Sequence, residues 1–294
     1  MRRFLKFTWL GRWLLVPFRL GFALTYLWRD LVVMVRWAMV SKEHYNHTYH
    51  LTPLNRQYLA SYVAVISGHG QEEIEGYMEE LERDQALREL LERQTLASPD
   101  RHNSDVEPRY GRRLGWYALV RATKPRVVVE TGVDRGLGTA VLAAAIKRNV
   151  EEGYAGMVYA TDINPQCGHL LAAPYADHAR ILLGDSVELL RRFGERVDLF
   201  IHDSDHRPEY EWAEFLAVEP HLQEASIVMS DNAQQTSKML EFAGRLGRSF
   251  LYFQDKPDRH WWPGDGIGAA LVPGKRVCYQ DRAGEPGGEG GGGA

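Results

Sequence analysis

The chain has 294 residues, of which 45% are apolar and 25% charged, the ordinary balance of a soluble globular protein with one large core or two modest ones. A formal net charge of -4 argues against a general nucleic-acid binder, because phosphate neutralisation needs a basic surface. Cys167 and Cys278 are the only cysteines and lack metal-type spacing, which points to a reduced, cytoplasmic setting.

The first forty residues depart from that average. They carry Arg2, Arg3, Lys6, Arg12, Arg19, Arg29 and Arg36 against Asp30 alone, with Trp9, Trp13, Trp28 and Trp37 among long aliphatics. Arg19, Arg29 and Arg36 keep every apolar run short of the roughly 20 residues that a spanning helix needs. No small-residue cleavage site follows a clean apolar core, so a signal peptide fits poorly. Arg29 and Arg36 are seven apart and share a helical face, with Trp28, Leu31, Val32, Val35 and Met39 around the rest. Residues 1–40 therefore read as an amphipathic segment. It fits either a peripheral anchor at the inner membrane face or a helix packed on this chain or a partner.

Residues 41–107 read as a helical region ending in a linker. His44, His47 and His50 recur every three residues, yet no fourth ligand is evident and zinc is not expected. Thr52 and Pro53 open a helix through Tyr58, Leu59, Tyr62, Val63 and Ile66 that stops near Gly68. Ile74, Tyr77, Met78 and Leu81 keep helical spacing in a second helix, whose glutamates form a solvated face. The segment from Ala97 to Pro108 lacks apolar periodicity and reads as the linker.

Residues 108–280 read as an α/β domain. A helix around Leu114–Arg121 leads to a strand at Val127. Then follow a helix from Thr139, strand Met157–Thr161, helix Gln166–Tyr175, strand Arg180–Leu183, helix Ser186–Phe193, strand Val197–Ile201, helix Tyr210–Leu222 and strand Ser226–Ser230. This alternation predicts a doubly wound parallel sheet. After a helix near Gln234–Leu246, strands Phe250–Gln254 and Ile267–Val272 form a closing hairpin. The loop between them holds His260, Trp261 and Trp262, which suit either an aromatic platform for an acceptor or a cover on the core edge. Residues 281–294 are almost all Gly, Pro and Glu and are expected to be disordered.

The segment VVVETGVDRGLG, from Val127 to Gly138, reads as a buried strand running into a glycine-rich turn before a helix. A dinucleotide fold wants G-x-G-x-x-G, but the second glycine position is Asp134, followed by Arg135, a poor seat for a diphosphate. Glu130 with the loop of Gly132, Asp134 and Gly136 suits instead a nucleoside carrying an ammonium and a carboxylate, as in S-adenosylmethionine. Ligands of such sheets collect at the carboxyl ends of the strands. Those ends supply Glu130, Asp162, Asp185, Asp203 and the Asp231–Asn232 pair. Asp162 sits where an acid accepts ribose hydroxyls. Asp185 and Ser186 sit where the adenine edge would lie, although Asp185 also suits a helix N-cap. Asp203, Asp231 and Asn232 offer three oxygen ligands to Mg²⁺, which would orient and acidify an acceptor hydroxyl.

In this order ETGVDRGLG, ATDIN, LLGDS, FIHDSDH and VMSDN resemble the class I S-adenosylmethionine-dependent methyltransferases, and more narrowly their metal-dependent O-methyltransferase group. The resemblance spans about Leu114 to Val272. It implies a Rossmann-like seven-stranded sheet with an antiparallel last strand, cofactor contacts at Glu130, Gly132, Asp162 and Asp185, and magnesium on Asp203, Asp231 and Asn232. It also places a catalytic base just beyond Asp203. Catechol-type members carry lysine where this chain has His206, and sugar-modifying members carry an acid where it has Asp205. The absence of that lysine moves the expected acceptor toward a saccharide or related natural product. Metal-independent transfer, or a membrane-attached scaffold that binds cofactor without catalysis, are the alternatives. Expected partners are a small-molecule acceptor, a membrane surface met through residues 1–40, and further copies of the chain in a homo-oligomer.

Overall fold

The structure is a computed structural model that describes residues 8–43, 48–274 and 276–280. Arg2, Arg3, Lys6, His44, His47 and the glycine-rich segment 281–294 lie outside the described residues. His50 is exposed and lies 3.6 Å from Glu107.

Seven strands form one sheet: β1 (Val127–Thr131), β2 (Met157–Asp162), β3 (Ala179–Leu183), β4 (Val197–His202), β5 (Leu222–Ser230), β6 (Ser249–Gln254) and β7 (Gly266–Leu271), in the order β3-β2-β1-β4-β5-β7-β6. β1 to β5 pair in parallel, and β7 runs antiparallel to both β5 and β6. Three consecutive valines make β1 buried on both faces, as a central parallel strand requires. Side chains alternate across it. Val128 joins a core with Leu199, Ile201 and Ile227, whereas Val127 and Val129 join the opposite core with Phe200 and Val228.

Helices cover both faces. α1 (Trp9–Leu14) and α2 (Val16–Val40) precede α3 (Pro53–Ser67), α4 (Gln71–Glu82) and α5 (Gln85–Ala97); α6 (Arg113–Thr123) and α7 (Leu137–Glu151) follow. α8 (Ser186–Arg191), α9 (Pro208–Val218) and α10 (Lys238–Arg245) pack on the other face. Thr52 Oγ1 accepts the N–H of Asn55 and Pro53 takes the first turn, while Gly68 ends α3 in the left-handed region. Leu59, Val63, Ile74 and Met78 then share one core with Trp116, Leu142 and the sheet. The helical region and the α/β domain are thus continuous.

Three elements differ from expectation. The Gln166–Tyr175 helix is absent, and only a 3₁₀ turn forms at Tyr175–His178. Pro165 precedes that segment and Pro174 lies within its end, and its backbone donors go elsewhere: Gly168 N–H to Asp134 O at 2.7 Å and Leu170 N–H to Arg135 O at 2.9 Å. A helix over 234–246 is confined to Lys238–Arg245, after a turn that begins beyond β5. α5 is additional, capped by Asp84 accepting the N–H of Leu87 at 3.0 Å.

Candidate active site

The sheet order reverses between β1 and β4, which opens a crevice at their carboxyl ends. Gly132 sits at that point with φ +86°, and a Cβ there would collide with the carbonyl of Asp203. Only glycine lets the loops after β1 and β4 close on each other. Asp162 ties the glycine loop to β2, since its Oδ2 accepts the N–H groups of Val133 at 3.0 Å and Asp134 at 2.9 Å. Its Oδ1 accepts Asn164 N–H at 2.8 Å. Gly136, at φ +94°, starts α7.

Glu130 is 1% exposed and accepts a 2.6 Å hydrogen bond from Thr139 Oγ1. Gly138 faces it without a side chain, which leaves the carboxyl its space. Burial, only partly offset by Thr139 and Arg113, pushes its pKa up to about 7 from 4.5. The native chain therefore holds a proton between about pH 4.5 and 7 that the unfolded chain has lost, and stability falls as pH rises through that window. Glu130→Gln is expected to match the native protein at pH 4.5 and to exceed it at pH 8 by on the order of a few kcal/mol in urea unfolding. Equal stability of the two at pH 8 would refute the buried-carboxyl reading.

Beyond β4 and β5, ligand atoms of Asp203, His206 and Asp231 lie within 4.8 Å of one another. Burial and the charge of Asp231 push the Asp203 carboxyl up, and the two carboxylates are close enough to share a proton. Burial also raises the Asp231 carboxyl, but the charge and hydrogen bonds of Arg112 outweigh it and hold the group down at about 2. His206 is pushed down by burial and by neighbouring His202, so its ring is neutral. Asn232, in the left-handed region at φ +52°, completes the group. With its Oδ1 accepting from His206 Nε2 at 2.8 Å, its Nδ2 lies 3.2 Å from both oxygens of Asp265.

Arg112 was not legible as a site residue, yet it occupies the centre of this cluster. It immediately precedes α6, is 6% exposed, and grips Asp231 through Nε and Nη2. Its Nη1 donates to Asp255 at 3.0 Å and to Tyr49 Oη at 2.9 Å and lies 3.5 Å from Asp265. Tyr49 donates in turn to Asp255 at 2.5 Å. Asp255 directly follows β6, so carrying the strand-end rule one strand further would have found it. Arg113 adds a looser contact, 3.9 Å from Asp203.

The remaining candidates are placed elsewhere. Asp185 caps α8, accepting Glu188 N–H at 3.0 Å through Oδ1 and Tyr210 Oη at 2.9 Å through Oδ2. Ser186 is buried and bonded to Glu214 and Tyr210. Glu214 also accepts from Thr131 Oγ1 at 2.8 Å and Ser204 Oγ at 2.7 Å and pairs with His202, which makes a polar brace beneath the crevice. Asp205 is turned toward Arg207 at 2.6 Å, and that contact holds its carboxyl below the usual range.

A cavity of about 270 Å³ joins the glycine loop to the acid cluster. Its wall includes Glu130, Gly132, Asp134, Asp203, Asp231 and Asn232. The far side is the segment expected to be a linker: Ser104, Asp105, Val106, Glu107 and Pro108, with Glu43 beside them. Asp162, Gly136, Asp185, Ser186, Asp205 and His206 stand outside this wall. Among the described residues its arginines are Arg112, Arg113 and Arg135, and the carboxylates outnumber them. Such a lining suits cationic occupants.

The sheet order with its antiparallel β7 and the glycine loop at the switch point define a class I methyltransferase fold. Residues 129–233, from within β1 to the turn after β5, match the family model described as "Methyltransferase domain". No curated protein matches the chain. Similar solved structures include an O-methyltransferase from Streptomyces achromogenes involved in tomaymycin synthesis, in complex with S-adenosylmethionine, at 19% identity over 65% of this chain and 91% of that one, with a TM-score of 0.46. An O-methyltransferase from Bacillus cereus in complex with S-adenosylhomocysteine is 17% identical over 64% of this chain and 91% of that one, with a TM-score of 0.44.

Proposed function

We propose that this chain is an S-adenosylmethionine-dependent O-methyltransferase that acts on a hydroxyl of a saccharide or related natural product, assisted by Mg²⁺. The observation that carries the reading is the approach of Asp203 to Asp231 in an acid-lined cavity beside the glycine loop. Two carboxylates this close favour a shared cation, and hard oxygen ligands suit Mg²⁺. Asn232 and His206 are hydrogen-bonded to each other, so either can complete the set. We assign Asn232 to the ion as an oxygen donor, and the His206 ring, released from Asn232 and in the tautomer with its proton on Nδ1, takes the acceptor's proton at Nε2. Asp205 is the weaker candidate for the base, because Arg207 already occupies its carboxylate, whereas His206 Nε2 lies 4.0 Å from Asp203.

When bound, S-adenosylmethionine supplies an electrophilic methyl on sulfonium, and the divalent ion lowers the proton affinity of the acceptor hydroxyl. Glu130 and Gly132 are assigned to the amino-acid end of the cofactor, and Asp162 to its ribose. Asp134 and Gly136 shape the loop, and Asp185 with Ser186 borders the adenine side. The residues need only align oxygen, methyl and sulfur and receive one proton, because in-line displacement gains most from orientation.

Metal-independent transfer is the second reading, and Arg112 favours it, since a guanidinium already sits on Asp231. Calorimetry with S-adenosylhomocysteine is expected to show binding, and labelled-methyl transfer to a whole-cell extract, which holds both soluble and lipid-borne saccharides, is expected to stop in chelator and return with Mg²⁺. Undiminished transfer in chelator would select the metal-independent reading. Product binding without transfer to any acceptor would leave a binding scaffold.

A further inference from the structure

α2 is 25 residues long and buries none of them. At 100° per residue, Leu20, Leu24, Leu27, Leu31 and Val35 share one face, and Arg19, Arg29, Asp30 and Arg36 all fall on the other half. Near its C-terminal end, contact with the rest of the chain comes from Trp37 on that other half, which also carries exposed Phe18, Phe22 and Tyr26. Val16, Val33 and Trp37 are its half-buried residues, and the Trp37 ring centroid lies 5.1 Å from that of Trp261 and 6.1 Å from that of His260. The leucine face is left uncovered by the other described residues, with Leu20 at 59% and Leu27 at 53% exposure.

The end of α2 is fastened to the cavity. Ser41 Oγ and the Lys42 N–H each donate to Asp105 at 2.9 Å, and Asp105 and Glu43 both line the cavity wall. No helix among the described residues is long and apolar enough to cross a membrane. An apolar helix whose arginines lie off the leucine arc, with Trp9, Trp13 and Trp28 exposed, matches what lies in a bilayer interface, where long arginine side chains reach back to anionic headgroups and tryptophan sits at the boundary. Arg12, Arg19, Arg29 and Arg36 oppose a single acid here, although the whole chain has a net charge of -4.

We infer that the leucine face of α2 docks on an anionic membrane surface and holds the cavity mouth at headgroup level, so that the acceptor hydroxyl is borne by a membrane lipid. The acceptor assignment rests on the methyl-transfer reading; the docking does not. The full chain is expected to float with phosphatidylcholine vesicles that contain phosphatidylglycerol and not with phosphatidylcholine alone. The exposed-face double variant L24E/L31E should lose more than about tenfold in bound fraction, as should the charge-reversed R29E/R36E. Both variants should keep native affinity for S-adenosylhomocysteine, which separates lost docking from a lost cofactor site. Failure of the native chain to float, or flotation of L24E/L31E at the native level, overturns the docking. A concentration-dependent dimer that L24E/L31E abolishes, with no vesicle binding, assigns the face to a second copy instead. With vesicles of total cell lipid, transferred label should enter the organic phase, and label confined to water-soluble products overturns the lipid acceptor.

Discussion

Replacing Arg112 by leucine is expected to destabilise the protein by about 3–5 kcal/mol in urea unfolding, the cost of breaking a buried ion pair from one side. The expected loss lies at the high end because one guanidinium serves Asp231, Asp255 and Asp265 together, and Asp255 is 1% exposed. Leucine matches part of the volume and none of the charge, so all three acids lose their shared cation in a largely buried site. The deficit should narrow at low pH, where carboxyls without a partner fold in their protonated form. Arg112→Lys restores a charge but not the two-pronged grip on Asp231, and recovery should be partial. An unchanged unfolding midpoint for Arg112→Leu at pH 7 would show that the cluster does not depend on this cation.

Asp231→Asn is expected to separate chemistry from binding. The substitution keeps shape, removes one of the two carboxylates proposed for the ion, and leaves Arg112 with Asp255 and Asp265, so its stability cost should be well below that of Arg112→Leu. Turnover should fall by about two to four orders of magnitude, the range for losing a positioned charge or proton-transfer group. Affinity for S-adenosylhomocysteine should stay within a few fold, because Glu130, Gly132 and Asp162 stand on the other side of the crevice. Single-turnover rates and calorimetry on the same preparation measure both. Native turnover in Asp231→Asn would remove the acid pair from the mechanism.

These two residues mark the boundary of what could be read in advance. Asp231 follows a β-branched strand directly, and its place at the carboxyl end of β5 follows from the alternation of strands and helices. Arg112 lies in YGRRLG, where two adjacent arginines before a helix are indistinguishable by pattern, and only one of them is buried in the acid cluster. Its bond to Asp231 joins positions 119 residues apart. The failure at Gln166–Tyr175 has the same origin, because the peptide groups of Gly168 and Leu170 found partners on the distant glycine loop. The Ser104–Pro108 segment carries no periodicity, and its role as a cavity wall emerges only when α5 and α6 bring it over the strand ends.

From its own letters the chain determines its strands, most of its helices, the glycine turn at Gly132 and the row of acids behind the strands. Those features depend on periodicity and backbone sterics within a few residues. Tertiary structure alone decided that Arg112 sits among Asp231, Asp255 and Asp265, that His206 rather than Asp205 turns toward Asp203, and that the leucine face of α2 points outward. The first requires groups far apart in sequence to meet in a buried site, the others depend on which neighbours the folded chain supplies, and the free energy of such arrangements belongs to the closed fold rather than to any segment of it.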